Sequence, residues 1–216
     1  MSDENYIKMD GEVDSFKGGA TRYSKKGKGR FDLIPGEIVY NLLMFADVLV
    51  YSEFDTYYFD KWDVVKHAYF EDDARYIFAL YEFIGYYYAD GDVDEHGVRK
   101  VNKSQWLAGL AKALKDLAVH YEFGAEKYGV DNWKKGIPII GGDRGGNFTD
   151  SGLRHLSQFL MGETDEKHGV AFMWNFCGAL YLQSFDKNVN FYDIAISLKN
   201  GIILKNEEAY EFDNDD

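Results

Sequence analysis

The sequence predicts an all-α protein: a helical bundle of about five main helices, with an irregular basic N-terminal segment and an aromatic-rich helical insertion. Three observations predict this class. Apolar residues recur at three- and four-residue steps over long stretches, which is the period of an amphipathic helix. The 216 residues contain only two prolines, Pro35 and Pro138, so long helices can form without interruption. No segment sustains the apolar–polar alternation that is typical of strands.

Composition divides the chain into three predicted parts. Residues 1–34 are polar and contain glycine, and they hold the strongest basic cluster, KKGKGR at 25–30. Residues 35–200 are predicted to form the helical bundle, and residues 51–100 within it are predicted to be an insertion. The last part, residues 201–216, ends in the acidic run NEEAYEFDNDD, which is typical of a solvated tail.

The first two predicted helices lie in the N-terminal half. Pro35 begins the first, because proline is tolerated in a first turn and Glu37 complements the positive end of the helix dipole. The second is one long helix over residues 62–88. It lies in a region, residues 51–90, that holds 15 of the 37 aromatic residues, and we expect a packed insertion or an oligomer contact there. Residues 89–103 are predicted to be a loop.

The C-terminal half contains the clearest helical signals. Ser104 caps a third predicted helix, whose leucines form one apolar stripe and which ends at Gly129. Thr149 or Asp150 caps a fourth helix, which ends near Met161. The fifth is apolar nearly all round, so we expect it to be the buried central helix. Its predicted limits are Thr164 or Asp165 and Ser184, and a short helix is expected after Asn190 and before Gly201.

The charge balance excludes one class of partner. The chain has 24 Lys and Arg against 37 Asp and Glu, which gives a formal net charge of −13. A field of that sign repels phosphate backbones, so we expect no nucleic acid polymer as a partner. Small anionic substrates remain compatible, because metal ions or a local basic cluster can invert the field at one site.

Three features predict a cytoplasmic protein. Cys177 is the single cysteine, so no intrachain disulfide can form and a reducing compartment is expected. The N-terminal residues are acidic and polar, unlike a signal peptide. The longest apolar stretch, residues 40–51, is too short to span a bilayer and contains Asp47, so we expect no membrane as a partner.

Two groups of acidic residues are candidates for chemistry. Glu122 and Glu126 lie one turn apart on the third predicted helix, so their carboxylates can approach one point. The alternative for this pair is a solvated helix face on which Lys115 and Lys127 are the partners. The second group, GETDEKHG at 162–169, lies where two predicted helices meet.

The second acidic group is the more informative one. It clusters Glu163, Asp165 and Glu166, and His168 and Asn175 follow on one side of the fifth predicted helix. Complementation of the helix dipole explains one or two of these acids, but not the histidine and the asparagine behind them. Carboxylates that converge from two helices form a site for a hard cation such as Mg²⁺ or Mn²⁺.

Basic residues and histidines carry less specific predictions. Arg22, Lys28 and Arg30 are candidate phosphate ligands, because their cationic groups pair with phosphate oxygens; a flexible solvated loop is the alternative. His155 and His168 are predicted either to orient the acidic residues or to be ordinary polar packing. The isolated histidines His67 and His120 are predicted to be structural.

Three blocks of sequence together resemble one enzyme family. They are GGATRYSKKGKGRFDLIP at 18–35, YEFGAEKYGVDNWKKGIP at 121–138 and DSGLRHLSQFLMGETDEKHGVAFMWN at 150–175. In this order they resemble the phage-encoded dATP/dGTP diphosphohydrolases of the MazZ type, relatives of the MazG-like all-α nucleoside triphosphate pyrophosphohydrolases. Residues 51–100 are not part of the resemblance.

The resemblance implies an enzyme and a metal. It implies a homo-oligomeric catalytic bundle in the host cytoplasm that hydrolyses purine deoxynucleoside triphosphates to monophosphate and pyrophosphate, adjusting the phage nucleotide pool. In the wider superfamily, acidic residues from two helices hold Mg²⁺ or Mn²⁺. This sequence has Glu–x₃–Glu in place of the pattern EExxE, and ETDE in place of ExxD. The implied metal ligands are Glu122, Glu126, Glu163, Asp165 and Glu166, and the implied catalytic residues are Glu126 and Glu163.

The same resemblance implies a set of residues that contact the substrate. Cationic side chains can neutralise the triphosphate and the leaving pyrophosphate, and amide pairing and ring stacking can hold the nucleoside. For Trp133 a role as a loop anchor is the alternative. The predicted phosphate ligands are Arg22, Lys28, Arg30, Lys134 and Arg154, and the predicted nucleoside contacts are Asn132, Trp133 and Asn175.

Two other functions stay open from the sequence. One keeps the fold and changes the substrate to dUTP, dCTP or a modified deoxynucleotide. The other is a non-catalytic acidic phage protein that binds a host factor. The net charge and the acidic tail favour the binder, whereas the basic cluster and the converging carboxylates favour an enzyme.

Overall fold

The structure is a computed structural model, and it describes residues 13–15, 17, 21–23, 27–50, 56–70, 73–141, 146–185, 189–197 and 200. The predicted acidic tail and most of the predicted irregular N-terminal segment lie outside the described residues. The described part is mostly helical and carries two small sheets, which confirms the all-α class.

Six α-helices and a short helical segment at 191–197 form the described bundle. The first helix begins directly after Pro35, and the short segment follows Asn190, both as predicted. In the described part of the chain, no helix is both long and apolar enough to cross a membrane. The helices are α1 (Gly36–Val50), α2 (Lys61–Tyr69), α3 (Arg75–Phe83), α4 (Lys103–Tyr128), α5 (Phe148–Leu160) and α6 (His168–Gln183).

The prediction of one long helix over residues 62–88 is wrong. The structure divides this stretch into α2, α3 and a π-helical turn at Ile84–Tyr88. The backbone of Phe70 is extended, and its carbonyl accepts a hydrogen bond from Nε of Arg75 at 2.6 Å. The sequence EDD at 71–73 would place negative charge at the negative end of the α2 dipole, which opposes continuation of the helix. The two short helices pack against each other.

Short strands were not predicted, and they correct the expected loop at 89–103. They are β1 (Val13–Ser15), β2 (Thr21–Tyr23), β3 (Thr56–Phe59), β4 (Asp92–Val93) and β5 (Arg99–Asn102). β1 pairs with β2, and a three-stranded antiparallel sheet has the order β3-β5-β4. Asp94 closes the β4–β5 turn, because its Oδ1 accepts the backbone N–H groups of His96 and Val98, both at 2.9 Å. Strands of two to four residues are too short to show alternation in a sequence.

Asparagine, not serine, caps helix α4. Asn102 Oδ1 accepts the backbone N–H of Gln105 at 2.9 Å, and the Gln105 side chain accepts the backbone N–H of Asn102 at 2.8 Å. This reciprocal capping box satisfies two free donors of the first turn, so Ser104 is not the cap. The other end is as predicted: α4 stops at Gly129, whose φ of 91° is readily adopted only by glycine.

The limits of α5 and α6 also differ from their predicted caps. The side chain of Asn147 accepts the backbone N–H of Asp150 at 2.7 Å, so α5 begins before the predicted cap Thr149. α6 begins at His168, after the predicted start at Asp165 or the residue before it. The residues between the two helices therefore form a non-helical connection.

Helix α6 is the buried centre of the bundle, as predicted. It packs against α1, α3, α4 and α5. Two glycines bring α5 and α6 together: a Cβ on Gly152 would lie 2.6 Å from the Phe176 ring, and one on Gly178 would lie 2.5 Å from the Phe148 ring. This close packing fixes the two ends of the α5–α6 connection, where the second acidic group lies.

Candidate active site

Three carboxylates and two imidazoles meet at the α5–α6 connection. His155 of α5 and His168 of α6 are buried, and Glu163, Asp165 and Glu166 are exposed around them. We call these five residues the acid–histidine cluster. Ligand atoms of His155, Glu166 and His168 lie within 4.8 Å of one another, and so do those of Glu163, Asp165 and His168. Either set could hold a divalent metal ion.

A chain of hydrogen bonds runs through the cluster. Nδ1 of His155 lies 3.0 Å from Nδ1 of His168, and Nε2 of His168 lies 2.9 Å from Oδ1 of Asp165. Nη2 of Arg154 lies 3.4 Å from Nε2 of His155. Because a guanidinium only donates and a carboxylate only accepts, neutral imidazoles satisfy all three contacts in one direction. The bonds then run from Arg154 through His155 and His168 to Asp165.

The ionisation of the cluster agrees with this direction. Burial, and then the charge of Arg154, lower the pKa of His155, so this imidazole is neutral near pH 7. The hydrogen bond from His168 lowers the pKa of Asp165, which keeps that carboxylate ionised. Glu163 lies at the edge of the network: its Oε2 accepts from Nε2 of Gln158 at 2.9 Å and is 3.9 Å from Nε2 of His168.

Helix α4 contributes a third histidine to this region. Burial lowers the pKa of His120, and the negative charge of Glu166 partly opposes that shift, which places Glu166 within electrostatic reach of α4. The His120 ring also contacts Trp174 of α6, with 5.8 Å between the ring centroids. His120 therefore contacts Trp174 and interacts electrostatically with Glu166. The sequence does not predict that His120 belongs to this region, because helix packing and not sequence spacing brings it there.

Glu122 is occupied by backbone groups. Its Oε1 accepts the N–H of Gly27 at 3.0 Å, and its Oε2 accepts the N–H of Gly29 at 2.9 Å. A Cβ on Gly29 would lie 2.8 Å from Cβ of Ala118, so only glycine allows this approach to α4. These bonds hold the backbone on both sides of the exposed Lys28 against α4.

The remaining predicted site residues lie in different surroundings. Glu126 is exposed, and among the described residues neither it nor Glu122 belongs to a group whose ligand atoms lie within 4.8 Å of one another. Arg30 forms a two-point ion pair with Asp32, at 2.7 and 2.6 Å. Arg22 lies in β2, and its side chain is outside the described part of the structure.

Asn175 and Arg154 lie on the two packed helices. Asn175 is buried and donates to the backbone carbonyl of Ala171 at 2.8 Å, within its own helix. Arg154 is exposed, and its Nη1 donates to Gln158 at 3.2 Å. The Arg154 guanidinium contacts neutral groups in these two bonds and carries a full positive charge beside the cluster.

The short 3₁₀ turn Asn132–Lys134 follows α4. Trp133 is buried, whereas Asn132 is exposed. Nζ of Lys134 lies 3.1 Å from Asp131 and 5.2 Å from the centre of the Tyr181 ring. The tryptophan anchors the turn, and the polar side chains remain at the surface.

An aromatic cavity of about 280 Å³ lies between this turn, α4 and α6. Its lining is mainly apolar, and Trp174, which belongs to the lining, also contacts the His120 ring. The volume suits a nucleobase better than a whole nucleotide. The aromatic side chains that line it are Tyr121, Tyr128, Trp133 and Trp174, and Asp131 and Asn132 lie at its exposed side.

One comparison with known proteins identifies this part of the chain. The family model described as "dATP/dGTP diphosphohydrolase, N-terminal" matches residues 88–190, just under half of the chain. No curated protein and no solved structure matches the chain. The matched segment contains α4, α5 and α6, and with them the whole acid–histidine cluster. Residues 88–190 are thus similar to the N-terminal domain of dATP/dGTP diphosphohydrolases, and this match supports a pyrophosphohydrolase enzyme of that type.

Proposed function

We propose that the protein hydrolyses dGTP and dATP to the monophosphate and pyrophosphate with a divalent metal ion, Mg²⁺ or Mn²⁺. The observation that carries this proposal is the convergence of three carboxylates and two imidazoles inside the family-matched segment. Hydrolysis of this kind lowers the supply of purine deoxynucleotides, which is the pool-adjusting role that the resemblance to phage enzymes implies.

The acid–histidine cluster fits a divalent metal by the chemistry of its donors. Carboxylate oxygens are the ligands that Mg²⁺ and Mn²⁺ prefer, so we expect Glu163, Asp165 and Glu166 to hold the ion. His155 and His168 would supply nitrogen ligands or orient the carboxylates. When bound, the ion would stabilise the charge on the phosphate oxygens and lower the pKa of water. Glu126 stays a predicted metal ligand from α4, whereas Glu122, whose two oxygens accept the N–H groups of Gly27 and Gly29, is proposed to hold that loop instead.

Side chains of the protein accept the proton of the attacking water and position the reacting groups. In the reaction, water oxygen bonds to the phosphorus that is attacked, the bridging P–O bond breaks, and pyrophosphate leaves with the electron pair. We assign to Glu163 the role of orienting the water and accepting its proton, and to Glu126 a second positioning role from α4. The hydrogen bonds from His155 through His168 hold Asp165 in place during this step.

Five cationic residues are the proposed partners of the polyphosphate. Arg154 is favoured as a phosphate ligand, because the hydrogen bonds that it donates among the described residues go to the neutral groups of Gln158 and His155. The backbone on both sides of Lys28 is held against α4 by Glu122, which supports a similar role. Arg30 and Lys134 would first have to exchange their partners Asp32 and Asp131 for phosphate, and Arg22 stays a prediction.

The aromatic cavity is the proposed site of the purine base. Trp133 and Trp174 offer ring faces for stacking, and Asn132 lies at the open side, where its amide can contact the nucleoside. Trp174 lines the cavity and belongs to helix α6, which begins at His168 of the cluster, and this supports a base in the cavity with its phosphates directed toward the carboxylates. Asn175 is bonded within α6 and would contribute by packing behind the cluster.

A turnover assay tests the function directly. The metal-depleted protein is incubated with each of dATP, dGTP, dTTP and dCTP, with and without Mg²⁺ or Mn²⁺, and monophosphate and pyrophosphate are quantified. We expect metal-dependent products from the two purines. Glu163→Gln should lower turnover by about 100-fold or more, whereas Glu95→Gln, on the exposed β4–β5 turn, should not. No turnover of any substrate would contradict the proposal, and turnover of pyrimidines alone would contradict the purine assignment.

We also propose that the protein forms a homo-oligomer. Tyr40 and Leu43 of α1 and Leu107 of α4 are exposed and line a second cavity, of about 460 Å³. Large apolar side chains exposed together are typical of association surfaces. Light scattering after size exclusion should give a multiple of the chain mass, and a monomer at micromolar concentration would contradict this proposal.

A further inference from the structure

The side chain of Gln158 lies between two residues of the proposed reaction. Its Oε1 accepts a hydrogen bond from Nη1 of Arg154 at 3.2 Å, and its Nε2 donates one to Oε2 of Glu163 at 2.9 Å. Because a guanidinium only donates and a carboxylate only accepts, the orientation of this amide follows from its two partners. One neutral group therefore contacts both the proposed phosphate ligand and the proposed proton acceptor.

The end of helix α5 holds Glu163 next to Gln158. The N–H of Glu163 donates to the backbone carbonyl of Gln158 at 3.1 Å, and the N–H of Gly162 donates to that of Phe159 at 3.1 Å. The φ of Gly162 is 77°, so these bonds form a Schellman motif that ends the helix. An apolar contact frequently joins the two positions that Gln158 and Glu163 occupy in this motif. In this protein an amide–carboxylate hydrogen bond takes its place.

The bond from Gln158 fixes one oxygen of the Glu163 carboxylate. Oε2 lies 2.9 Å from Nε2 of Gln158 and 3.9 Å from Nε2 of His168, and Oε1 takes part in neither contact. A carboxylate that is held through one oxygen presents the other in a defined direction. The amide thereby orients the oxygen that can accept the proton of water.

The neutral amide also keeps two opposite charges available. Arg154 and Glu163 contact the same amide group, so without Gln158 they would be free to pair with each other. Such an ion pair would engage both the cation that binds the polyphosphate and the carboxylate that receives the proton. A glutamate in place of Gln158 would not solve this problem, because it would pair with Arg154 and repel Glu163.

We propose that Gln158 is a positioning residue for the hydrolysis, which orients the carboxylate of Glu163 and keeps it separate from Arg154. This inference rests on the proposed function, which assigns the water to Glu163 and a phosphate to Arg154. In this role Gln158 itself touches neither the water nor the phosphates.

Two substitutions of Gln158 test this role. Gln158→Met keeps the length of the side chain and removes both bonds, and we expect kcat with dGTP to fall about tenfold and KM to rise. Gln158→Glu retains an acceptor for Arg154 but cannot donate to Glu163, and it should show the same loss. Ser157→Ala, which removes the 3.1 Å contact with Tyr69 from the same helix, is the matched control and should not. Wild-type kcat in Gln158→Glu would overturn the proposal.

A double-mutant cycle tests whether Gln158 acts through Glu163. In a Glu163→Gln background, Gln158→Met should lower kcat no further and should leave KM unchanged, because no carboxylate remains to be oriented or to pair with Arg154. A further tenfold loss in that background would contradict the proposal, since Gln158 would then act independently of Glu163.

Metal affinity and stability give readouts that do not need turnover. Isothermal titration should show about tenfold weaker Mn²⁺ binding in Gln158→Met than in the wild type, and no such effect of this substitution in the Glu163→Gln background. The melting temperature of Gln158→Met should match that of the wild type. Equal kcat and equal Mn²⁺ affinity of Gln158→Met and the wild type would overturn the proposal. Failure of the proposed function is distinct: Mn²⁺ affinity would depend on Gln158 while no pyrophosphate formed from any triphosphate.

Discussion

The Nδ1 atoms of His155 and His168 lie 3.0 Å apart, although these residues belong to different helices. One ring must donate and the other accept, and the bond from His168 to Asp165 settles the direction in the neutral state. The side chains of the acid–histidine cluster are thus fixed by one another as well as by the backbone.

Replacing His168, the middle residue of this series of hydrogen bonds, should disrupt the acid–histidine cluster more than replacing an exposed histidine. We expect His168→Asn to lower Mn²⁺ affinity by about 10- to 100-fold, because Asp165 loses its partner. Isothermal titration with Mn²⁺ measures the effect. His96→Gln, on the exposed β4–β5 turn, is the control. Equal Mn²⁺ affinity of the His168 variant and the wild type would exclude the cluster as the metal site.

The two hydrogen bonds that Glu122 accepts from Gly27 and Gly29 should contribute to substrate binding and to stability, but not to metal affinity. In Glu122→Gln, the amide nitrogen faces a backbone N–H, so one hydrogen bond is lost. We expect about 1–2 kcal/mol of destabilisation in urea unfolding, and a raised KM with deoxynucleotide because Lys28 is released. A parallel Mn²⁺ titration should match the wild type. A large loss of Mn²⁺ affinity would instead return Glu122 to the predicted ligand set.

Glu82 makes stability depend on pH. Burial, and then the charge of Asp63, raise its pKa from 4.5 to about 8. Between these values the folded chain holds a proton that the unfolded chain has released, so the free energy of unfolding falls as the pH rises through this window. Glu82→Gln cannot ionise and should be more stable than the wild type at pH 7, by on the order of 2 kcal/mol. Thermal melts at pH 4 and pH 7 test this, and an equal difference at both would contradict it.

The close contact of α5 with α6 should tolerate no added methyl group. In Gly178→Ala the new Cβ would meet the Phe148 ring at 2.5 Å, and we expect about 1–3 kcal/mol of destabilisation. Gly124→Ala, also in a helix but with no atom within 4 Å of its Cβ, should be neutral or stabilising in the same melts. Two variants of equal stability would contradict the packing.

The sequence predicted the helices that depend on periodicity and capping by glycine, such as the end of α4 at Gly129. The prediction was wrong where a tertiary contact determines the local backbone structure. The break before α3 depends on the bond from Arg75 to Phe70, which apolar periodicity does not encode. The asparagine caps were missed because serine and threonine nearby are also good capping residues, so the local sequence does not distinguish between them.

The candidate site was predictable by region and less so by residue. The acidic group at 163–166 was a candidate because it places more acids before an apolar helix than complementation of the helix dipole explains. The partners His155 and His120 come from other helices, and only packing brings His155 against His168 and His120 toward Glu166.

The glycine contacts between α5 and α6 set how this site can vary. Because the two helices cannot slide or separate without breaking the contacts of Gly152 and Gly178, the distance between His155 and His168 is set by the helices themselves. The seven residues at 161–167 then have to bridge a span of constant length. Single substitutions in that connection can alter the chemistry of the ligands, whereas insertion or deletion of one residue would move every carboxylate relative to both imidazoles.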